Sequence, residues 1–138
     1  SVDRSESAIQ WARENFVLNA MDLTTHRLVQ AHAFDFLKAA AREKQRFDLA
    51  VVDPPSFSTT KTRNVAFDIA RDHPRLLKAV VGLLRPGATL FFSTNHQSFE
   101  PRMDGLAVAD VKEITAGTIP EDYVSKRKTI HRCWRITA

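Results

Sequence analysis

A chain of 138 residues, 43% apolar and 26% charged, has the size and balance of one ordinary globular domain able to bury a core. Its single cysteine, Cys133, excludes an internal disulfide and a cysteine-based metal cluster, and no metal is expected. No apolar run approaches the roughly 18 residues of a membrane span, and the polar start Ser1-Val2-Asp3-Arg4-Ser5-Glu6 is no signal peptide, so a cytoplasmic protein off the membrane is expected. The net charge of +4 is mild, yet five Lys or Arg residues and no acid fall between Lys126 and Arg135. Such a stretch suits either a polyanion partner or a solvated face.

From the N-terminus, Ser5 to Leu18 sets Ile9, Ala12 and Phe16 at helical spacing with Trp11 on the flank, and Asp3 and Glu6 make a capping-box-like start. A short strand follows over His26 to Ala31, centred on Leu28 and Val29. Phe34 to Glu43 is a second helix with Phe34, Leu37 and Ala41 as its buried stripe. Leu49 to Val52 has no polar alternation and reads as a strand covered on both faces, as in a parallel sheet.

Pro54 and Pro55 end that strand. The residue before a proline is pushed to extended geometry, so Asp53 is held at the strand's carboxyl end, where open α/β sheets place their ligands. Neither proline has an N–H, so the loop offers bare carbonyl oxygens. An aspartate, those carbonyls and the ring of Phe57 suit a flat, amine-bearing ring such as a nucleobase. The plainer alternative is a strand-ending turn with Phe57 in the core.

Pro55 to Asn64 is polar and aperiodic and reads as a long functional loop, in which Lys61 and Arg63 are either phosphate contacts or plain surface charge. Val65 to Leu84 is helical, with Ile69, Leu76, Leu77, Val80 and Leu84 on one side and His73-Pro74 as a kink or division. Leu84-Arg85-Pro86-Gly87 is a helix stop and turn. Ala88 to Ser93 is the third buried strand, Phe99 to Ala109 a further helix, and Val111 to Ile114 and Thr129 to Ile136 two final strands around a polar loop. This alternation argues a doubly wound α/β domain with helices on both faces. Nucleotide-binding domains of that class open with a strand and a glycine-rich turn. Gly82, Gly87, Gly105 and Gly117 do not make that pattern. Either the domain lacks the loop by nature or the native protein begins upstream of Ser1.

Ser1-Val2-Asp3-Arg4-Ser5 with Trp11-Ala12-Arg13-Glu14-Asn15-Phe16-Val17-Leu18-Asn19 resembles the second motif of class I S-adenosylmethionine (SAM) dependent methyltransferases, and Asp53-Pro54-Pro55-Ser56-Phe57-Ser58 resembles their fourth. Leu84-Arg85-Pro86-Gly87 before a strand is their common entry to the fifth strand. Phe92-Ser93-Thr94-Asn95, Met103-Asp104-Gly105-Leu106, Thr118-Ile119-Pro120-Glu121-Asp122-Tyr123 and His131-Arg132-Cys133-Trp134-Arg135-Ile136 are similar to the ending of a narrower group acting on large-subunit ribosomal RNA. Within it the chain is most similar to the guanine-N7 methyltransferase domain that forms the C-terminal half of a bifunctional guanine-N2/guanine-N7 enzyme.

The resemblance implies a Rossmann-like class I sheet whose first strand and glycine-rich loop are absent from this chain. Residues 1–138 would then be one domain, the C-terminal portion of a methyltransferase. It implies SAM as cofactor, 23S ribosomal RNA as partner and a guanine as acceptor, N7 ahead of N2. Asp3 matches the acid that takes the cofactor's ribose hydroxyls, or caps the following helix. His32 stands where the family usually has an aspartate at the adenine end; it is a ligand, a strand-end residue, or replaced in that role by Asp35. Ala33 would line the adenine pocket. Asp53, Pro54, Pro55 and Phe57 would form the catalytic shelf, with Asp53 shared by the cofactor site. Lys61, Arg63, Lys126, Arg127 and Lys128 would contact RNA.

Methylation at cytosine C5 needs a thiolate that adds to the ring. Cys133 lies far along the chain from the shelf and reads as core packing. Two other readings stand beside the RNA enzyme: a non-catalytic RNA-binding or assembly module on the same scaffold, and a methyltransferase acting on a protein or small molecule. In the family the first strand is central, so without it Leu49 to Val52 would form an exposed hydrophobic edge, open to a second copy or a partner chain. The 138 residues alone are expected to bind SAM weakly and to be inactive.

Overall fold

The computed structural model describes residues 1–60, 63–96, 98–124 and 130–138, with the backbone alone at residues 59, 60, 63–66 and 124. The chain forms two compact units, Ser1–Gln45 and Arg46–Ala138.

The first unit is a βαβ crossover. Strand β1 (Val2–Asp3) leads into helix α1 (Glu6–Leu18), and β2 (Val29–Gln30) returns parallel to β1 with Val2 opposite Val29 and Asp3 opposite Gln30. The helix cap is Ser5 rather than the expected Asp3: the Ser5 hydroxyl accepts from the Ala8 N–H at 3.2 Å, satisfying one of the orphan donors of the first turn. Asp3 instead receives the Ser5 N–H at 2.7 Å, which bends the chain into that cap. Ile9, Ala12 and Phe16 are half-buried as their spacing implies, whereas Trp11 is exposed. Helix α2 (Ala33–Arg42) follows β2, and the residue it buries is Ala40, one position before the expected Ala41.

The second unit is a four-stranded mixed sheet in the order β3 (Phe47–Val52), β6 (Leu84–Thr94), β8 (Arg132–Thr137), β7 (Asp110–Glu113), with β3 parallel to β6 and the other pairs antiparallel. Between β3 and β6 run an antiparallel hairpin, β4 (Phe57–Thr60) and β5 (Arg63–Asp68), and helix α3 (Ile69–Val81). Two expectations change here. The polar loop is a hairpin, because its Ser and Thr residues are as compatible with a pleated, half-exposed surface as with a loop. The helix starts four residues later than expected, because Asp68 is a strong N-cap: its carboxylate accepts from the Ala70 N–H at 2.9 Å and the Arg71 N–H at 3.4 Å. The expected turn at Leu84–Gly87 is a bulge inside β6: pairing jumps from Phe47↔Leu84 to Leu49↔Thr89, and Gly87 takes φ +80°, which glycine adopts without a Cβ penalty.

Strand β3 lies at the sheet edge among the described residues. It is not covered on both faces: Leu49 is 58% and Val51 70% exposed, while Ala50 and Val52 on the opposite face are half-buried. On that second face β6 and β8 present Leu90, Phe92, Trp134 and Ile136, all buried. Phe92 stacks on Trp134 at 5.6 Å, and Phe99 tilts against both. Each such ring contributes about 1.5–3 kcal/mol on burial. No helix forms over the expected span Phe99–Ala109; Pro101 and Gly105 break the pattern, and Phe99 and Met103 are anchored instead as single buried side chains.

Pro74 stands inside α3 and cannot donate to the Ala70 carbonyl. The Arg102 guanidinium fills that vacancy, donating to Ala70 O at 2.6 Å and Arg71 O at 3.1 Å. The neighbouring His73 is fully buried, stacked near Phe92 and edge-on to Phe99. Its Nε2 accepts from the Arg102 backbone N–H at 2.9 Å, which fixes the proton on Nδ1, donated to Ile69 O at 2.7 Å. Burial, and secondarily the nearby Arg102 charge, lower the imidazole pKa below its ordinary value. Because the folded state disfavours the charged form, this contribution is complete above the unfolded value of about 6.5 and is lost as pH falls below it. Thermal melts are therefore expected to show a falling Tm between pH 7.5 and 5.5, and His73→Gln should flatten that slope. A slope unchanged by the substitution would contradict the assignment.

Candidate functional site

Strand β3 delivers Asp53 at its carboxyl end, beyond the last register pair, Val52↔Phe92. The next residue of β6, Ser93, lies beside it, and the Ser93 hydroxyl donates to Asp53 Oδ1 at 2.7 Å. Three residues on, the Ser56 hydroxyl donates to Asn95 Oδ1 at 2.7 Å, and the Ser56 carbonyl receives the Ile69 N–H of α3 at 3.0 Å. The segment Asp53-Pro54-Pro55-Ser56 is thus a shelf tied at both ends. Asp53 and Pro55 are exposed, and Phe57, opening β4, is 72% exposed rather than in the core. An aromatic face, a carboxylate with one oxygen fixed and the other accepting, and two proline carbonyls meet on one short stretch.

Cys133, far away in sequence, is brought to this place by the β6–β8 pairing Ser93↔Cys133. It is buried, and burial first and the Asp53 carboxylate second push its thiol pKa up. A thiol held protonated beside a carboxylate is a poor nucleophile. The reading of Cys133 as packing rather than chemistry survives, although its distance from the shelf does not.

In the first unit, Asp3 ends β1 and the Asp3 carbonyl receives the Ala31 N–H at 2.9 Å, so Asp3 and His32 lie at the carboxyl ends of two adjacent parallel strands. Asp3 Oδ1 holds the Ser5 N–H, and the carboxylate is exposed with Oδ2 as a further acceptor. His32 is the N-cap of α2: its Nδ1 accepts from the Phe34 N–H at 3.3 Å and its ring stacks on Phe34. In the neutral ring that leaves Nε2–H as a donor. Ala33 opens the helix and is exposed, and Asp35 lies in its first turn. A carboxylate for vicinal hydroxyls beside an imidazole donor fits the ribose and base of a nucleoside.

Of the basic residues, Lys61, Lys126, Arg127 and Lys128 lie outside the described residues, and only the backbone of Arg63, in β5, is described. Sequence reasoning assigned no role to Ser93 and Asn95. Their signal is two polar residues at alternate positions where an apolar strand ends. Among the described residues, no group of three or more His, Cys, Asp or Glu is arranged to hold a metal. No helix among them is long and apolar enough to cross a membrane.

Residues 1–118 match the model of a family described as S-adenosylmethionine-dependent methyltransferase. The chain belongs to that family. The family's cofactor is SAM, and its fold is the α/β arrangement described above. A curated relative, "Ribosomal RNA large subunit methyltransferase K" of Neisseria meningitidis serogroup B, is 43% identical over 99% of this chain. The chain spans 38% of that relative's length. Among solved structures, SMU.776 complexed with SAH superposes with a TM-score of 0.80 at 21% identity, over 100% of this chain and 38% of that one, a likeness of fold. The SAM-dependent methyltransferase from Agrobacterium tumefaciens gives a TM-score of 0.59 at 27% identity, over 69% of this chain and 30% of that one.

The candidate site holds Cys133 as a buried thiol with a raised pKa. Native Cys133 should therefore react with a thiol-directed alkylating reagent at pH 7 at least about tenfold more slowly than in denaturant. Equal rates in both would show that the thiol is neither buried nor held protonated.

Proposed function

We propose that the protein carrying this chain transfers a methyl group from SAM to a guanine of 23S ribosomal RNA, at N7, in the cytoplasm. The observation that carries this reading is the tied, solvent-facing Asp53–Phe57 shelf in a chain 43% identical to a relative named for large-subunit ribosomal RNA methylation.

A base in folded RNA is unstacked before it enters such a site, and an aromatic ring then takes over the stacking. Phe57 supplies that ring. Asp53, with Oδ1 held by Ser93, turns Oδ2 toward the guanine N1–H and N2–H donors, and the Pro54 carbonyl is a second acceptor. These contacts present the opposite edge of the base, which carries N7. Guanine N7 has an in-plane lone pair and no proton to lose, so no side chain need act as a general base. Bound SAM supplies a methyl on a positive sulfur, and the N7–methyl bond forms as the sulfur–methyl bond breaks with its electron pair left on sulfur. The chain's contribution is then positioning, which accounts for much of the acceleration in such transfers. Asp3 takes the cofactor's ribose hydroxyls, and His32 Nε2–H with the Ala33 backbone serves its adenine. Lys61, Arg63 and the Lys126–Lys128 run contact phosphates without reading sequence.

Methyl incorporation from labelled SAM into undermethylated large-subunit ribosomal RNA tests this. With the full-length protein, Phe57→Ala should raise the KM for RNA by roughly 5- to 100-fold, as expected for one lost base-stacking contact, and Asp53→Ala should lower kcat. Incorporation into protein in place of RNA, or wild-type kinetics for both variants, would refute the reading. The 138-residue chain alone, which has no glycine-rich turn among its described strand ends, should bind SAM no more tightly than about micromolar, equivalent to roughly −8 kcal/mol. A submicromolar Kd by calorimetry would contradict that.

A further inference from the structure

We infer that Ser93 and Asn95 are positioning residues for the methyl transfer: at the end of β6 and one residue past it, they fix the two ends of the Asp53–Ser56 shelf, through Ser93 Oγ to Asp53 Oδ1 and Ser56 Oγ to Asn95 Oδ1. The inference rests on the reading of Asp53 as the residue that holds the acceptor base.

The shelf has an unusual shortage of ways to stay in place. Parallel pairing between β3 and β6 stops at Val52↔Phe92, so Asp53 to Ser56 lies outside the strand ladder. Pro54 and Pro55 have no N–H to give to any neighbour. The backbone anchor the structure records is at the far end, where Ser56 O receives the Ile69 N–H. A carboxylate at the near end would otherwise sample several rotamers, as exposed side chains do. The 2.7 Å hydrogen bond from Ser93 selects one of them, and a bond to a charged acceptor is stronger than a neutral one. Ser93 is the penultimate residue of β6, and Asn95 is the first residue past its end. The end of β6 and the residue after it therefore clamp the shelf at two points bridged across 40 and 39 residues of chain. Where catalysis is positioning, a displacement of about 1 Å costs on the order of 100-fold, so loosening either clamp should appear in kcat.

The test uses the full-length protein, undermethylated large-subunit ribosomal RNA and the variants Ser93→Ala, Asn95→Ala, Ser56→Ala and Ser93→Thr. Each alanine variant should lose about tenfold or more in kcat, with the KM for SAM within about threefold of wild type. Ser93→Thr, which keeps the hydroxyl, should recover to within about threefold. The double variant S56A/N95A should fall no further than Asn95→Ala alone, because Asn95→Ala already removes the Ser56–Asn95 bond. Native-state hydrogen exchange at the Ser56 and Phe57 amides should speed by about tenfold in the alanine variants, reporting the loosened shelf without reference to activity. Wild-type kcat and exchange in the alanine variants would overturn the inference, as would a Ser93→Thr protein as impaired as Ser93→Ala. A wild-type protein that methylates no RNA would overturn the functional reading instead, and amide exchange alone would then decide whether the clamp exists.

Discussion

The hydrogen bond from Ser93 to Asp53 joins the ends of two parallel strands that are 40 residues apart in sequence, and it fixes the carboxylate around which the candidate site is arranged. It exists because the β3–β6 register, fixed from Leu49↔Thr89 to Val52↔Phe92, runs out with the two residues side by side. Register in turn follows from burial: Leu90 and Phe92 point into the core, so Phe91 and Ser93 must point the other way. A one-residue slip would put Ser93 under α3 and leave Asp53 without its partner. The apolar core and the polar site are thus two faces of the same strand.

That core needs its own anchor, because α3 carries a proline in its middle. Arg102 takes up the carbonyl that Pro74 abandons, and its backbone N–H fixes the tautomer of His73. His73 is then a neutral ring that stacks with Phe92 and Phe99 rather than a buried charge. At the other end of the same aromatic cluster, Arg132 spans Glu113 with two hydrogen bonds, donates to the Phe99 carbonyl and lies 4.7 Å over the Trp134 ring. Two arginines therefore hold the irregular segment after β6 in place, where an expected helix does not form.

Much of this was legible in the residues. Asp-Pro-Pro ending an apolar run placed Asp53 at a strand end, and helical spacing located α1, α2 and most of α3. Legibility failed where a tertiary partner outweighed the local pattern. Pro55 to Asn64 lacked periodicity yet lies largely in a hairpin; Leu49 and Val51 read as covered on both faces yet have one face exposed, although the edge position of their strand was expected from the missing first strand. Cys133 looked remote because pairing of β8 against β6 is invisible to chain distance. His32 shows the intermediate case: its position before a helix was readable, but not that its Nδ1 would serve as the cap and leave Nε2 for other work.

Family membership gives the cofactor and the fold, while the substrate rests on the shelf and on kinship to one curated relative. The most direct test of that account is nucleoside mapping by mass spectrometry of 23S ribosomal RNA from cells whose only copy of the gene carries Asp53→Ala. The account predicts that one methylated guanine, modified at N7, disappears while every other methylation persists. An unchanged set of methylated nucleosides, or the loss of a methyl from a pyrimidine, would contradict it.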